Sequence, residues 1–210
     1  MQDFSLARRT MVDSQLRPQG VTDRGVLYAM GKVERERYVP EAARALAYFD
    51  RAMKIGEGRS LMPPAALGRL LSEVEPRPGE RALVIGSGTG YSAAVLKQIG
   101  LEVVALESDA ALAGQAKALG VETIVADLQA GWTKGAPYDL IVLEGAVEEV
   151  PAAIAKQLAE DGRIAGALID RGITRLSVGT SANGSIGWRS LADSDVAALP
   201  GFERPRAFTF

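Results

Sequence analysis

Cysteine and histidine are both absent from this chain of 210 residues. Without cysteine there is no disulfide and no thiol nucleophile, and without either residue a zinc site built from Cys and His ligands is excluded. The lack of histidine also excludes a Ser-His-Asp triad. Any catalytic base must therefore be Asp, Glu, Lys, Tyr or water, and we predict no metal site.

An excess of charge of one sign and a long hydrophobic run are also missing. Lys and Arg number 24 against 26 Asp and Glu, for a net charge of −2, so we predict no nucleic-acid-binding surface. No run approaches about 18 consecutive apolar residues, which predicts no transmembrane helix. Residues 1–20 lack the apolar segment and cleavage site of a secretory signal. We therefore expect a soluble, cytoplasmic protein.

The composition that remains is that of an ordinary globular protein, with 47% hydrophobic and 24% charged residues. The length suits one domain, and we predict a single domain over residues 1–210. Within it, residues 1–75 are expected to form an N-terminal helical segment and a loop. Residues 76–210 are expected to form a sheet core with C-terminal strands.

The N-terminal part predicts helices separated by turn residues. Apolar residues at near-helical spacing indicate helices over 5–17 and 22–37, with Thr22 as the N-cap of the second. A short third helix begins at Pro40 and ends near Tyr48. Residues 49–64 contain two glycines and two prolines, which indicates an ordered loop or short hairpin, and a helix then runs to Val74.

From Arg81 onward, strands alternate with helices. This alternation predicts an α/β fold with a Rossmann-like, doubly wound and largely parallel sheet, whose cofactor lies at the carboxyl ends of the strands. Shorter strands are expected after Arg171, with a hairpin turn at 182–185. The predicted strands are 81–85, 102–107, 121–127, 138–146 and 163–169, and the predicted helices are 91–100, 109–120 and 151–162.

The stretch "VIGSGTGYS" (84–92) places three glycines between a strand and a helix, the context in which such a loop binds a nucleotide. Gly86, Gly88 and Gly90 let the backbone turn sharply and approach a ligand closely. The dinucleotide fingerprint requires a small residue at position 91, where Tyr91 is large. No Gly-Lys-Ser/Thr follows, so the loop is not a P-loop.

Two carboxylates end the next two strands. Glu107 can accept hydrogen bonds from ribose hydroxyls, and Asp127 can accept one from an adenine amino group. With the glycine loop, they indicate an adenosine ligand without pyrophosphate, namely S-adenosylmethionine (SAM). The alternative is that both acids are solvated strand ends or helix caps, since Asp109 and Asp127 lie near predicted helix starts.

Several longer stretches resemble the protein-L-isoaspartate O-methyltransferase family. They are "MVDSQLRPQGVTDRGVLYAMGKVERERYVP" (11–40), "AYFDRAMKIGEGRSLMPP" (47–64), "GTGYSAAVLKQI" (88–99) and "PYDLIVLEGA" (137–146). The resemblance covers about residues 8–170 and is specific at the N-terminus. It implies a SAM-dependent methyltransferase fold with an N-terminal helical extension. It also implies methylation of the isoaspartyl carboxylate in damaged proteins. The methylated residue then cyclises and can reopen as normal aspartate.

The resemblance also implies a set of site residues. Ser60, Leu61 and Met62 would border the methyl acceptor, and Tyr48 and Asp50 would line the peptide groove. The product would be S-adenosylhomocysteine (SAH). The implied cofactor-binding residues are Gly86, Ser87, Gly88, Thr89, Gly90, Glu107, Ser108, Asp127 and Leu128.

The chain departs from the family pattern at two chemically central positions. The family loop reads Gly-Gln-Thr-Ile-Ser-Gln-Pro, whereas residues 58–64 read "GRSLMPP", so Met62 replaces a serine beside the reacting carboxylate. Arg59 of this loop is a candidate to attract an anionic substrate, but we expect it to be a solvated surface residue. Val84 replaces a glutamate that helps to hold the methionine end of SAM in the family. Glu144, at the end of the fourth strand, is the candidate to replace that acid.

Two other functions stay open. One is a SAM-binding relative with a different acceptor or no isoaspartyl turnover, because Met62 and Val84 depart from the motif. In that case Met62 fills the core, which is the commonest role of methionine. The other is a nicotinamide-dependent oxidoreductase on a similar sheet, against which Tyr91 counts.

Overall fold

The computed structural model describes residues 3–204, so residues 1, 2 and 205–210 of the predicted domain lie outside the described residues. The α-helices are α1 (Phe4–Met11), α2 (Arg24–Lys32), α3 (Pro64–Val74), α4 (Tyr91–Ile99), α5 (Ala110–Ala118) and α6 (Ala152–Ala155). A π-helical turn (Val12–Leu16) follows α1, and 3-10 turns span Arg35–Arg37, Glu41–Leu46 and Thr133–Gly135. The strands are β1 (Met53–Gly56), β2 (Arg59–Leu61), β3 (Arg81–Ile85), β4 (Glu102–Glu107), β5 (Thr123–Val125), β6 (Tyr138–Val147), β7 (Leu158–Asp170), β8 (Ile173–Ala182) and β9 (Ser185–Asp193).

A seven-stranded sheet lies at the centre, in the order β5-β4-β3-β6-β7-β8-β9. The strands from β5 to β7 pair in parallel, and β8 and β9 add antiparallel strands at one edge. The prediction of a doubly wound, largely parallel sheet is confirmed. Because the chain moves from β3 to β4 on one side and returns to β6 on the other, the strand order reverses between β3 and β6. Such reversal points are where open α/β sheets bind ligands.

Apolar side chains cover both faces of this sheet, as a central parallel sheet requires. On one face, Val84 and Val142 belong to the same buried cluster as Met11 and Leu16 of the N-terminal helices. On the other face, Leu83 belongs to a second cluster. The N-terminal segment therefore packs against the sheet face that also carries α3 and α4, and brings its own loops to the carboxyl edge.

Aspartates cap the described helices where a carboxylate reaches the first free backbone N–H groups. Asp23 accepts a hydrogen bond from the backbone N of Val26 at 2.8 Å and is the N-cap of α2. The prediction that Thr22 caps this helix is wrong by one residue. Asp109 caps α5 in the same way, accepting from the backbone N of Ala111 at 2.8 Å.

The predicted helix over 151–162 is wrong beyond its first turn. α6 ends at Ala155, and β7 begins at Leu158. The carbonyl of Gln157 accepts from the backbone N of Tyr138 at 2.8 Å, and its side-chain amide bonds the backbone of Ala130 and Trp132, each at 2.7 Å. These contacts join the segment to β6, and tertiary contacts outweigh a modest helical preference.

Other predicted elements are confirmed in kind, with shifted ends. Residues 53–61 form the β1–β2 hairpin, and Gly100 ends α4 in a left-handed conformation. The strand predicted over 121–127 is shorter, Thr123–Val125, whereas the C-terminal strands β8 and β9 are longer than expected. Among residues 3–204, no helix combines the length and apolar character that crossing a membrane requires.

Candidate active site

The glycine loop lies at the point where β3 gives way to α4. Gly86, Gly88 and Gly90 have φ values of +73°, +55° and +94°, a region that residues with a side chain rarely adopt. The backbone N–H groups of Gly86 and Ser87 both donate to the carbonyl of Leu106, at 2.9 Å each. These bonds fix the loop to the end of β4, where Glu107 follows.

Two hydroxyl residues of this loop differ in their bonding. The Thr89 hydroxyl donates to the carbonyl of Tyr38 at 2.6 Å and joins the loop to the N-terminal segment. The Ser87 hydroxyl is buried and has no hydrogen-bond partner among the described residues. A buried polar atom without a partner is uncommon in folded proteins, and a ligand is one way to satisfy it.

Glu107 is fully buried and its carboxylate is surrounded by donors. One oxygen accepts from the Arg59 guanidinium at 2.5 Å and from the backbone N of Gly88 at 2.7 Å. The other accepts from the backbone N of Ser108 at 2.8 Å and of Asp109 at 3.0 Å. The backbone of two strand ends and one cation therefore hold a buried negative charge beside the glycine loop.

Arg59 is not the solvated residue that we expected, and that prediction is wrong. It lies in β2, is only 7% exposed, and forms a buried ion pair with Glu107. Because β1 and β2 form a hairpin over the carboxyl edge of the sheet, the guanidinium reaches the end of β4. The sequence offered no local signal for this contact, since the partners are distant along the chain.

Asp127 and Leu128 follow β5 at the same edge. Asp127 is exposed, and its carboxylate accepts from the backbone N of Gln129 at 3.0 Å, as in an Asx turn. Leu128 is buried in the same apolar cluster as Leu106. The two residues thus lie next to the end of β4. The second Asp127 carboxylate oxygen accepts no hydrogen bond from the described part of the chain, and Leu128 adds an apolar surface on the inner side.

Glu144 and Arg35 hold the backbone of Met62 from both sides. Glu144, 3% exposed, accepts from the backbone N of Met62 at 3.0 Å and from the hydroxyl of Ser92. Arg35, fully buried, donates to the carbonyl of Met62 at 2.7 Å and to that of Ala47 at 2.8 Å. Burial raises the pKa of Glu144, against the opposing effects of the two hydrogen bonds and of nearby arginines.

Sequence reasoning missed Arg35 and Ser92. Arg35 lies under the ring of Tyr91, with its guanidinium carbon 4.6 Å from the ring centroid. Burial raises the pKa of Tyr91 to about 12, so its phenol is neutral at pH 7. The run "VERERYVP" contains no signal that predicts a buried Arg35 and an exposed Arg37. Only the 3-10 turn that contains both determines which one faces the core.

We refer to residues 58–64 as the acceptor loop, after the methyl acceptor that the resemblance predicts beside it, and most of its side chains are buried. Leu61 and Met62 are 0% and 2% exposed, whereas Ser60 is partly exposed and pairs across the hairpin with Lys54. Val84, which replaces the expected acid, is fully buried on β3 beside Val142 of β6. Both departures from the family pattern therefore put apolar atoms where the family has a polar side chain.

Tyr48 and Asp50, the predicted groove residues, make structural bonds in the described structure. The Tyr48 hydroxyl donates to Glu36 and accepts from the Arg8 guanidinium at 2.8 Å. Asp50 accepts from the backbone N of Ala65 at 2.9 Å, at the start of α3. These bonds join α1 and the 3-10 turns to the loop and leave the groove role of both residues a prediction.

The end of the chain also reaches this edge. We refer to residues 194–204 as the C-terminal segment. Its backbone pairs in parallel with the end of β6, where Ala146 is bridged to Ala198. Leu199 and Phe202 of this segment are 2% and 3% exposed and belong to the same apolar cluster as Leu128. No functional role was predicted for this segment from its sequence.

Known proteins match this chain over most of its length. The family model of protein-L-isoaspartate(D-aspartate) O-methyltransferase matches residues 7–186. The protein-L-isoaspartate O-methyltransferase of Methylorubrum populi is 41% identical over 164 residues, covering 75% of this chain and 77% of that protein. A protein-L-isoaspartate O-methyltransferase 2 of an Anaeromyxobacter species is 41% identical over 168 residues, covering 75% of this chain and 68% of that protein.

Solved structures match the fold. A protein-L-isoaspartate O-methyltransferase superposes with a TM-score of 0.79 at 23% identity, covering 92% of this chain and 66% of that chain. A putative protein-L-isoaspartate O-methyltransferase from Plasmodium falciparum, in complex with SAH, superposes with a TM-score of 0.74 at 21% identity. It covers 91% of this chain and 97% of that chain. The predicted methyltransferase fold is confirmed.

Proposed function

The chain belongs to the protein-L-isoaspartate(D-aspartate) O-methyltransferase family, and we propose that it methylates the carboxylate of isoaspartyl residues in damaged proteins. SAM is the methyl donor and SAH the product. The observation that carries the proposal is the buried Glu107 carboxylate, held beside the glycine loop at the edge where the strand order reverses. The substrate is any protein or peptide that contains an isoaspartyl residue, and the location we propose is the cytoplasm.

The side chains at this edge fit SAM in kind. The glycines allow a close approach to the backbone, the buried Ser87 hydroxyl is left without a partner, and Glu107 accepts hydrogen bonds as a ribose partner must. When bound, SAM supplies a methyl group on a positively charged sulfur. The residues that would hold it are Gly86, Ser87, Gly88, Thr89, Gly90, Glu107, Ser108, Asp127, Leu128 and Glu144.

Glu144 is proposed to replace the glutamate that the family has at the position of Val84. It lies on the neighbouring strand, and the residue two positions before it, Val142, pairs with Val84 in the sheet. Its carboxylate is buried at the start of α4, where it binds Ser92 and the backbone of Met62. A carboxylate at this place is close to both the glycine loop and the acceptor loop.

The reaction asks little acid–base chemistry of this chain. The free carboxylate of an isoaspartyl residue is already ionised at pH 7 and can attack a sulfonium methyl group directly. The protein then contributes mainly by holding the acceptor in line and excluding water. The backbone of Met62, fixed by Glu144 and Arg35, positions the acceptor loop for this task. The absence of histidine is consistent with this mechanism.

The second candidate is a relative with another acceptor, and Met62 is the observation that favours it. Its side chain is 2% exposed and has no donor for a carboxylate. If the lost serine hydroxyl acted like an oxyanion-hole donor, its removal costs roughly 3 kcal/mol of transition-state stabilisation. Turnover on isoaspartyl residues would then be slow while cofactor binding is retained.

The test is formation of SAH from SAM in the presence of an isoaspartyl peptide, with the normal aspartyl peptide of the same sequence as the control. The proposal expects turnover on the isoaspartyl peptide alone. Equal rates on both peptides, or none at saturating SAM, would contradict it. In the latter case, retained SAH binding would favour the relative with another acceptor.

A further inference from the structure

The C-terminal segment is fastened across the carboxyl edge of the sheet by backbone hydrogen bonds. The backbone N of Ala146 donates to the carbonyl of Ala197 at 2.8 Å, and the backbone N of Leu199 donates to the carbonyl of Ala146 at 2.7 Å. Further along, the backbone N of Glu148 donates to the carbonyl of Phe202 at 3.0 Å. The segment therefore runs beside the end of β6 at a fixed register.

This register places Leu199 in the crevice between β3 and β6. Its Cδ1 lies 2.8 Å from the point that a Cβ atom on Gly86 would occupy, and its own Cβ lies 2.8 Å from the equivalent point on Gly145. Gly86 directly follows β3 and Gly145 lies two residues before the end of β6, the two strands between which the strand order reverses. A leucine side chain thus fills the place where this class of sheet binds its ligand.

Arg59 occupies the same place from the other side. Its Nη2 lies 2.9 Å from the Cβ position of Gly86 and 2.5 Å from the Glu107 carboxylate. The proposed ribose acid is therefore already neutralised by a cation. Since Arg59 is 7% exposed, the ion pair is only weakly screened by solvent.

The two occupants are linked to one another. Pro200, next to Leu199, lies 3.1 Å from the Cβ position of Gly58, next to Arg59. Leu199 and Phe202 also share an apolar cluster with Leu128, the proposed adenine contact. One segment and one hairpin therefore meet over the glycine loop, the ribose acid and the adenine surface together.

We propose that Arg59 and Leu199 close the cofactor crevice in the free protein, and that SAM or SAH binds only when both are displaced. This inference rests on the proposed function, because it takes the crevice to be the SAM site. A cofactor that binds only the open form binds more weakly by the fraction of molecules that are open. Removing either occupant should therefore strengthen binding without adding any contact to the cofactor.

The test measures the Kd of SAH by calorimetry for the wild type, Leu199→Ala and Arg59→Gln. Leu176→Ala is the matched control for the first variant, since Leu176 is equally buried and belongs to β8, two strands away from β6. Arg163→Gln is the control for the second, because Arg163 forms an ion pair with Glu80 at 2.6 Å on another edge. We expect Leu199→Ala and Arg59→Gln to bind SAH about tenfold or more tightly than the wild type, and the controls to match it.

Hydrogen exchange in the wild-type protein provides a second readout that does not depend on a variant. Displacement breaks the bonds between Ala146 and the C-terminal segment, so adding SAH should speed exchange of the Leu199 amide while the glycine loop slows. Unchanged or slower exchange of residues 196–202 with SAH bound would overturn the closure. Equal SAH affinities in all proteins would also overturn it and leave the proposed function standing. No binding by any of the five proteins would instead overturn the proposed function, and the closure with it.

Discussion

At the scale of single residues, Met62 is the position where the chain departs from the family loop beside the proposed methyl acceptor. The backbone N of Met62 donates to the buried Glu144 carboxylate, and its carbonyl accepts from the buried Arg35 guanidinium, while its side chain fills the core. The backbone of the acceptor loop is thus specified independently of the side chain at position 62. A serine at this position would keep the backbone bonds and add a hydroxyl.

Replacing Met62 tests whether that hydroxyl matters. Met62→Ser and Met62→Ala both remove a buried side chain and should lower the free energy of unfolding by about 3 kcal/mol each. Only the serine variant gains a donor for the acceptor carboxylate. We expect its kcat/KM for an isoaspartyl peptide to exceed that of the alanine variant by about a hundredfold. Equal values in the two variants would show that position 62 contributes no donor.

Glu144 makes the stability of the protein depend on pH. Burial raises its pKa above the ordinary value of 4.5 in the folded chain. As pH rises from 4.5 towards the raised pKa, the unfolded chain releases this proton before the folded chain does. The free energy of unfolding therefore falls over this window, and the contribution of the protonated form is complete only below pH 4.5.

Glu144→Gln removes that titration. The free energy of unfolding of this variant, relative to that of the wild type, should therefore increase as pH rises above 4.5. Urea denaturation at a series of pH values measures this, with the exposed Glu122→Gln as control. Parallel curves of unfolding free energy against pH for the wild type and Glu144→Gln would contradict the account.

The same variant should bind SAM more weakly if Glu144 holds the methionine end of the cofactor, and an unchanged affinity would remove that role.

At the scale of elements, the 3-10 turn over Arg35–Arg37 decides which arginine is buried. Arg35 donates to the backbone carbonyls of Ala47 and Met62, to which no backbone N–H donates among residues 3–204. It thereby joins the N-terminal segment to the acceptor loop. Arg37, two residues on, is exposed and forms an ion pair with Glu34 at 3.4 Å.

Arg35→Met should leave these two buried carbonyls without donors. We expect the free energy of unfolding to fall by about 3 kcal/mol, measured by urea denaturation. Arg37→Met, which loses an exposed ion pair, should change it by less than about 0.5 kcal/mol. A similar small effect for both variants would mean that the Arg35 bonds contribute little.

Elements whose pattern is local were predictable, and those that depend on distant partners were not. The apolar run of β3 and the glycine that ends α4 predict their elements directly. The segment after Ala155 has a helical pattern but forms a strand, because Gln157 bonds to the backbone of three distant residues. Glu107 was placed correctly at a strand end, whereas the burial of Arg59 depends on a hairpin folding over that strand end.

At the scale of the whole molecule, the proposed site is assembled from five parts of the chain. The glycine loop, the end of β4, the end of β6, the β1–β2 hairpin and the C-terminal segment meet at one edge. The first four lie within the stretch that resembles the family. The fifth lies beyond it, and its pairing with β6 is not encoded in any local motif, so the sequence alone did not predict the proposed closure by Leu199.

We propose above all that this crevice binds the cofactor through Glu107. The most direct measurement is the Kd of SAH by calorimetry for Arg59→Gln and for Arg59→Gln with Glu107→Gln. The shared background removes the ion pair, so the comparison reports only what the carboxylate gives the cofactor. We predict that the double variant binds SAH at least about tenfold more weakly, since a charged acceptor is worth about 1.5–3 kcal/mol. Equal affinities would contradict the assignment of the site.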